Sequence, residues 1–161
     1  MSNIEKRIDA VYEYLLAEDS VARSNAHAKL MKLMGKEGSG RMPTDPEAIT
    51  RDLFLEIGAP DHLQGHEYAI TGILLVVENR TFIDNITFGL YPTLAAKYDT
   101  TASRIERAIR HLVEVTWTRS DPDVLFKYFG NTVSPDRGKP TNGEFISRCA
   151  NIVKQRMRLS A

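Results

Sequence analysis

Apolar residues recur at three- and four-residue steps along almost the whole chain, and nowhere do they alternate in twos over a sustained stretch. Steps of three and four keep side chains on one face of a helix, whereas alternation marks strands. The pattern predicts an all-α fold. Within residues 4–34, Ile4, Ile8, Val11 and Leu15 form one row; Glu18 interrupts it, and Ala22, Ala26, Leu30 and Leu33 resume it. This is one long helix or two helices broken near Glu18, Asp19 and Ser20. The run GKEGSG at 35–40 is flexible by composition, and Pro43 and Pro46 cannot continue a helix. The chain thus divides into an N-terminal helical segment at 1–34, a linker at 35–43 and a larger domain at 44–161.

Further helices are expected throughout that domain. Thr44 and Glu47 have capping-box spacing, and a helix follows to residue 57, stopped by Gly58 and Pro60. Others are expected at 62–78, at 82–98 with a kink or restart near Tyr91 because of Pro92, at 101–118 and at 123–129. Thr141 and Glu144 form a second capping-box pattern, opening a last helix to residue 157.

The helix at 101–118 carries the functional signal. At about 100° per residue, Ala102, Ile105, Ala108, Ile109, Leu112, Val113, Val115 and Thr116 fall on one arc of roughly 160°. Ser103, Arg104, Glu106, Arg107, Arg110, His111 and Glu114 lie opposite. One side can pack while the other presents three guanidiniums, whose planar forks suit phosphates and the O6 and N7 of guanine. Glu106 suits the amino group of cytosine, or else caps the helix together with Ser103. The preceding helix ends only about three residues earlier, which is a helix-turn-helix connection.

Composition neither supplies nor forbids this reading. Lys plus Arg and Asp plus Glu number 21 each, so net charge is zero. Residues 137–158 are locally basic, with Arg137, Lys139, Arg148, Lys154, Arg156 and Arg158 against Glu144 alone. That excess suits phosphate contact, or simply a helix C-terminus complemented by cations. A single cysteine, Cys149, excludes an internal disulfide and reads as a small buried hydrophobe. No signal peptide or membrane span is read, so a cytoplasmic, nucleoid-associated place is expected and membrane partners are not. His62 and His66 have helical metal spacing without a third ligand, and read as surface or helix-start residues. Tyr68, Trp117, Phe126 and Phe129 are expected in the core. No catalytic, cofactor or metal constellation is read.

The stretch LYPTLAAKYDTTASRIERAIRHLVEVTWTR at 90–119 strongly resembles the C-terminal DNA-binding effector domain of the sporulation initiation response regulator (stage-zero factor A) of spore-forming Firmicutes. IGAPDHLQGHEYAITGI at 57–73 and FGNTVSPDRGKPTNGEFIS at 129–147 resemble its second-helix region and its loop and last helix. The resemblance spans about residues 49–158. It implies a six-helix domain whose third and fourth helices form the helix-turn-helix, and double-stranded promoter DNA as partner. It also implies base reading by Arg104, Glu106 and Arg107, with further contacts near Arg110, His111 and Glu114. Ser103 matches a backbone contact, and Lys139, Pro140, Thr141 and Asn142 match a turn near the phosphates.

Members of that family also carry an N-terminal receiver domain with a phosphorylated aspartate. The residues ahead of the resemblance are too few and too helical for one, so phosphoryl-aspartate control is not expected. The N-terminal segment suits a helical hairpin, a homodimerising coiled coil or an element folded back on its own chain. Two function classes follow: a stand-alone DNA-binding regulator, or an interaction protein that modulates a full-length regulator or RNA polymerase without reading DNA itself.

Overall fold

The computed structural model describes residues 3–16, 20–34 and 44–160, and every element among them is helical. The chain separates into two compact units, Met1–Met42 and Pro43–Ala161. The first contains α1 (Asn3–Leu16) and α2 (Ser20–Met34), so the row of apolar residues is carried on two helices rather than one. They pack on each other, with Lys29 bonded to Glu13 at 2.9 Å. The stretch read as a linker, 35–43, lies outside the described residues.

The second unit contains α3 (Pro46–Ile57), α4 (Gln64–Glu78), α5 (Thr81–Asp84), a π-helical turn (Ile86–Leu90), α6 (Tyr91–Lys97), α7 (Ala102–Arg119), α8 (Pro122–Phe129) and α9 (Asn142–Ser160). Helix α3 is capped by Asp45, whose carboxylate accepts from the N–H of Ala48 at 3.0 Å, and not by the expected Thr44. Pro46 suits the first helical position because its φ is fixed and its missing N–H is harmless there, so its predecessor becomes the cap. Gly58 ends the helix at φ 72°, where a side chain would be strained.

The helix expected at 82–98, with a kink or restart near Tyr91, does restart at Tyr91, and the part before it is itself in two pieces. The N–H of Tyr91 reaches back to Ile86, a five-residue step, and Pro92 has no N–H to continue the ladder. The hydroxyl of Thr93 bonds the carbonyl of Gly89 at 2.7 Å. A fresh helix, α6, starts there.

Helix α4 sits centrally, packed on α3, α7 and α9. Its approach to α7 is close enough that a Cβ on Gly65 would lie 2.1 Å from the carbonyl oxygen of Ala108. The core gathers Leu53, Phe54, Ile57, Ile70, Ile73 and Leu94 with Ile105, Ile109, Leu112, Phe145 and Ile146. Phe129 stacks on Phe145 at 5.6 Å, and Trp117 meets Phe129 edge-on at 5.0 Å. Cys149 is buried among these residues, which pushes its thiol well above the ordinary range. Of the four aromatics expected inside, Tyr68 and Phe129 are buried and Trp117 is half-buried, but Phe126 is 74% exposed. Five apolar residues in eight-residue α8 exceed what one inward face can hold.

The Glu56 carboxylate of α3 receives Arg156 of α9 at 2.9 Å and the hydroxyl of Tyr128 from α8. Burial favours the acid form of Glu56, but these hydrogen bonds outweigh it and hold the carboxyl below its ordinary value. Burial and the Glu56 bond push the Tyr128 phenol up to about 12.

Candidate nucleic-acid interface

Helix α6, the turn through Asp99 and helix α7 form the helix-turn-helix. The N–H groups of Tyr98 and Thr100 bond the carbonyls of Leu94 and Ala95 at 3.0 Å, closing the end of α6. Asp99 takes φ 50°, a left-handed conformation that aspartate tolerates better than most side chains. The turn is anchored inward: the hydroxyls of Tyr98 and Thr71 share a hydrogen bond of 2.6 Å, and Tyr98 packs on Tyr68.

Helix α7 is capped by Thr101, whose hydroxyl accepts from the N–H of Arg104 at 3.2 Å. Ser103 is therefore not the cap, and both it and Glu106 are left to the surface side. The apolar side is anchored by Ile105, Ile109, Leu112, Val113 and Thr116, all buried. That burial fixes the helix's rotation, and with it what the opposite side shows. Ser103, Arg104, Arg107, Arg110 and His111 are exposed, while Glu106 and Glu114 are half-buried.

The charges on this face are not equivalent. Arg110 is ion-paired with Glu106 one turn earlier. Glu114 accepts from the Lys139 ammonium at 3.0 Å, and this bond holds its carboxyl below the ordinary range. Arg104 and Arg107 make no ion pair with a described carboxylate. On this face, among the described residues, they have no carboxylate to release before meeting an external anion.

The segment 137–143 is held beside α7 by specific bonds. Thr141 and Glu144 form the expected capping box: the N–H of Thr141 donates to the Glu144 carboxylate at 2.9 Å, and the N–H of Glu144 donates to the Thr141 hydroxyl at 3.2 Å. That backbone bond, with Arg137 at 2.8 Å, keeps the Glu144 carboxyl below its ordinary value. Asn142 spends both amide hydrogens inside the protein, one on the hydroxyl of Tyr91 and one on the carbonyl of Glu106, each at 3.0 Å. One side chain thus ties α9 to both helices of the helix-turn-helix. Burial raises the Tyr91 phenol. A groove of about 570 Å³ remains between α7 and this segment, lined by Ile86, Arg110, Glu114, Lys139 and Thr141 among others.

The basic run at 137–158 is less of a patch than its charge count promises. Arg137 is used on Glu144, Arg156 on Glu56, and Arg148 donates to the carbonyl of Tyr128 at 2.5 Å. Lys139 and Arg137 both line the groove beside α7, the first bonded to Glu114 and the second to Glu144. His62 is exposed ahead of α4, whereas His66, in its first turn, is buried edge-on to Phe54 at 5.2 Å rather than on the surface. Among the described residues no helix is long and apolar enough to cross a membrane.

A helix-turn-helix with its second helix packed on one side and cationic on the other, flanked by a capped turn, is a DNA-binding arrangement. The family model described as "Sporulation initiation factor Spo0A C terminal" matches residues 50–153, which contain all of these parts. The chain belongs to this family of DNA-binding effector domains of sporulation regulators.

Proposed function

We propose that this protein is a sequence-specific transcription regulator that reads promoter DNA with α7 and needs no phosphorylated aspartate to do so. One observation carries the reading: the buried side of α7 fixes its rotation so that Arg104, Arg107, Arg110 and His111 are all exposed. Arg104 and Arg107 read guanine edges through their two-pronged donors, and Glu106 accepts from a cytosine amino group. Arg110, His111 and Glu114 extend the contact. Ser103, Lys139 and Thr141 meet phosphates, and Asn142 serves them by fixing the turn against α7. The protein's place of action is the chromosome.

The test is fluorescence anisotropy of the unmodified 161-residue chain with a duplex carrying the family's promoter site and with a scrambled duplex, across a salt series. Preferential binding is expected, with log affinity falling steeply against log salt, and an acyl-phosphate donor should leave it unchanged. Arg107→Ala should reduce the preference roughly 5- to 150-fold, the range for one two-pronged base contact. Equal or undetectable binding to both duplexes would sink the reading and favour an interaction protein that does not itself read DNA.

A further inference from the structure

The cations beside α7 are not held alike. Arg110 is held by Glu106 on its own helix and moves with it. Arg137 is held by Glu144 across a single turn. Lys139 comes from a different segment, 25 residues from Glu114, the carboxylate that holds it. That bond is 3.0 Å long, and the lysine and glutamate side chains are 47 and 45% exposed. Both line two grooves beside α7, of about 570 and 530 Å³, so the ammonium has open space around it. Gly138, just before the lysine, takes φ 68° with nothing within 4 Å of where a Cβ would stand. The flexible lysine stem can therefore swing, and an exposed pair of this kind holds weakly.

The position of the pair gives it a consequence. Glu114 lies about 15 Å along the helix from Arg104, at 1.5 Å per residue. The start of a recognition helix reaches base edges, and its far end runs beside the backbone. The Lys139 bond holds the Glu114 carboxyl below the ordinary range, so it is charged at neutral pH. A carboxylate there faces phosphates of its own sign and also occupies the cation nearest to them. The whole chain has no net charge, so its attraction to DNA of any sequence rests on local cations such as this one.

We propose that Glu114 is a specificity-determining residue: it withholds Lys139 from DNA of the wrong sequence and yields it on the right one. On a scrambled duplex no base contact fixes α7, and Lys139 stays with Glu114. On a promoter site Arg104 and Arg107 hold α7 in the groove. A phosphate then stands before Lys139 at high effective concentration and displaces the carboxylate. The inference rests on base reading by α7, and adds to it a cation that counts in the matched complex alone.

Anisotropy of the 161-residue chain with promoter and scrambled duplexes, from low salt upward, tests this in Glu114→Gln, Lys139→Gln and the double variant. Both side chains are nearly half exposed, so helical circular dichroism should be retained. Glu114→Gln should bind the scrambled duplex about 2- to 5-fold more tightly, the strength of an exposed ion pair, with a log–log salt slope steeper by about 0.9. Its promoter affinity should rise less, so discrimination falls. Lys139→Gln should weaken promoter binding, make that slope shallower by about 0.9, and leave scrambled binding unchanged. In the Lys139→Gln background, Glu114→Gln should lose most of its gain on the scrambled duplex. An equal gain in both backgrounds overturns the proposal, because Glu114 then acts as a bare charge. So does a Lys139→Gln chain weakened equally on both duplexes, or a Glu114→Gln chain whose scrambled binding is unchanged. An unsubstituted chain that does not discriminate brings down base reading and the inference with it. One that discriminates while the variants behave otherwise than stated brings down the inference alone.

Discussion

Helices α1 and α7 have similar sequence patterns and opposite fates. Each carries apolar residues on one side and charges on the other. In α7 the apolar side is sealed by α4, α6 and α9, with Ile105, Ile109 and Leu112 wholly buried. On α1 the described Ile8, Val11, Tyr12 and Leu16 are exposed, and Ala10 is the hydrophobic side chain buried among the described ones. The comparison teaches that periodicity specifies a face but not its cover. What covers α7 is distant in sequence: Gly65 on α4 lets the two backbones meet, and Asn142 on α9 locks the other side.

The largest way to break this comparison is to remove one leucine from each helix. Leu112→Ala should cost about 2–5 kcal/mol of unfolding free energy, as large-to-small changes in sealed cores do. Leu16→Ala should change it by no more than about 0.5 kcal/mol, since Leu16 is exposed. Urea unfolding of the two variants compares them directly, and equal losses would mean that the α1 row is not free.

Next in size is the approach of α4 to α7. Gly65→Ala puts a methyl group 2.1 Å from a backbone oxygen that has no rotamer to escape into. A loss of about 1–3 kcal/mol is expected, with weakened DNA binding because α7 must shift. Thermal melts and anisotropy on the same preparation would detect both, and binding that stays intact would show that α7 is positioned by something else.

The smallest effect is electrostatic. Glu144 has a folded-state value below its ordinary 4.5, so its contribution is present above that value and is lost as pH falls through the lower folded value. Melting temperature should fall between about pH 5 and pH 3. A Glu144→Gln chain should start lower at neutral pH and lose less on acidification. The group is only half-buried, so high salt should shrink the difference. An unchanged acid profile would mean that the 137–143 turn is held by Asn142 alone.

Much of this could be read from the sequence because it is local. Helix spans, the Thr141–Glu144 capping box and the cationic side of α7 depend on residues within a turn or two of one another, where spacing alone decides geometry. Pro46 moved a cap from Thr44 to Asp45, and of the kink or restart open at Pro92 the restart is what forms; both residues were visible, but their effect depends on which competing backbone bond wins. The fate of Phe126 was not visible, because α8 holds more apolar residues than it can bury and only its neighbours choose among them.

The sequence by itself determined that the chain is helical, where its helices lie and which family the second unit belongs to. Charge partners were decided by the tertiary structure. Arg156 finds Glu56 a hundred residues away, Lys139 finds Glu114 and Arg148 finds a backbone carbonyl, so much of a run that counts as strongly basic is spent on partners within the fold. Asn142, which matched a turn near the phosphates, has both its amide hydrogens committed to α6 and α7. The physical reason is the same in each case. Periodicity is a property of one element, whereas burial and pairing are properties of two, and the second element enters only when the chain folds.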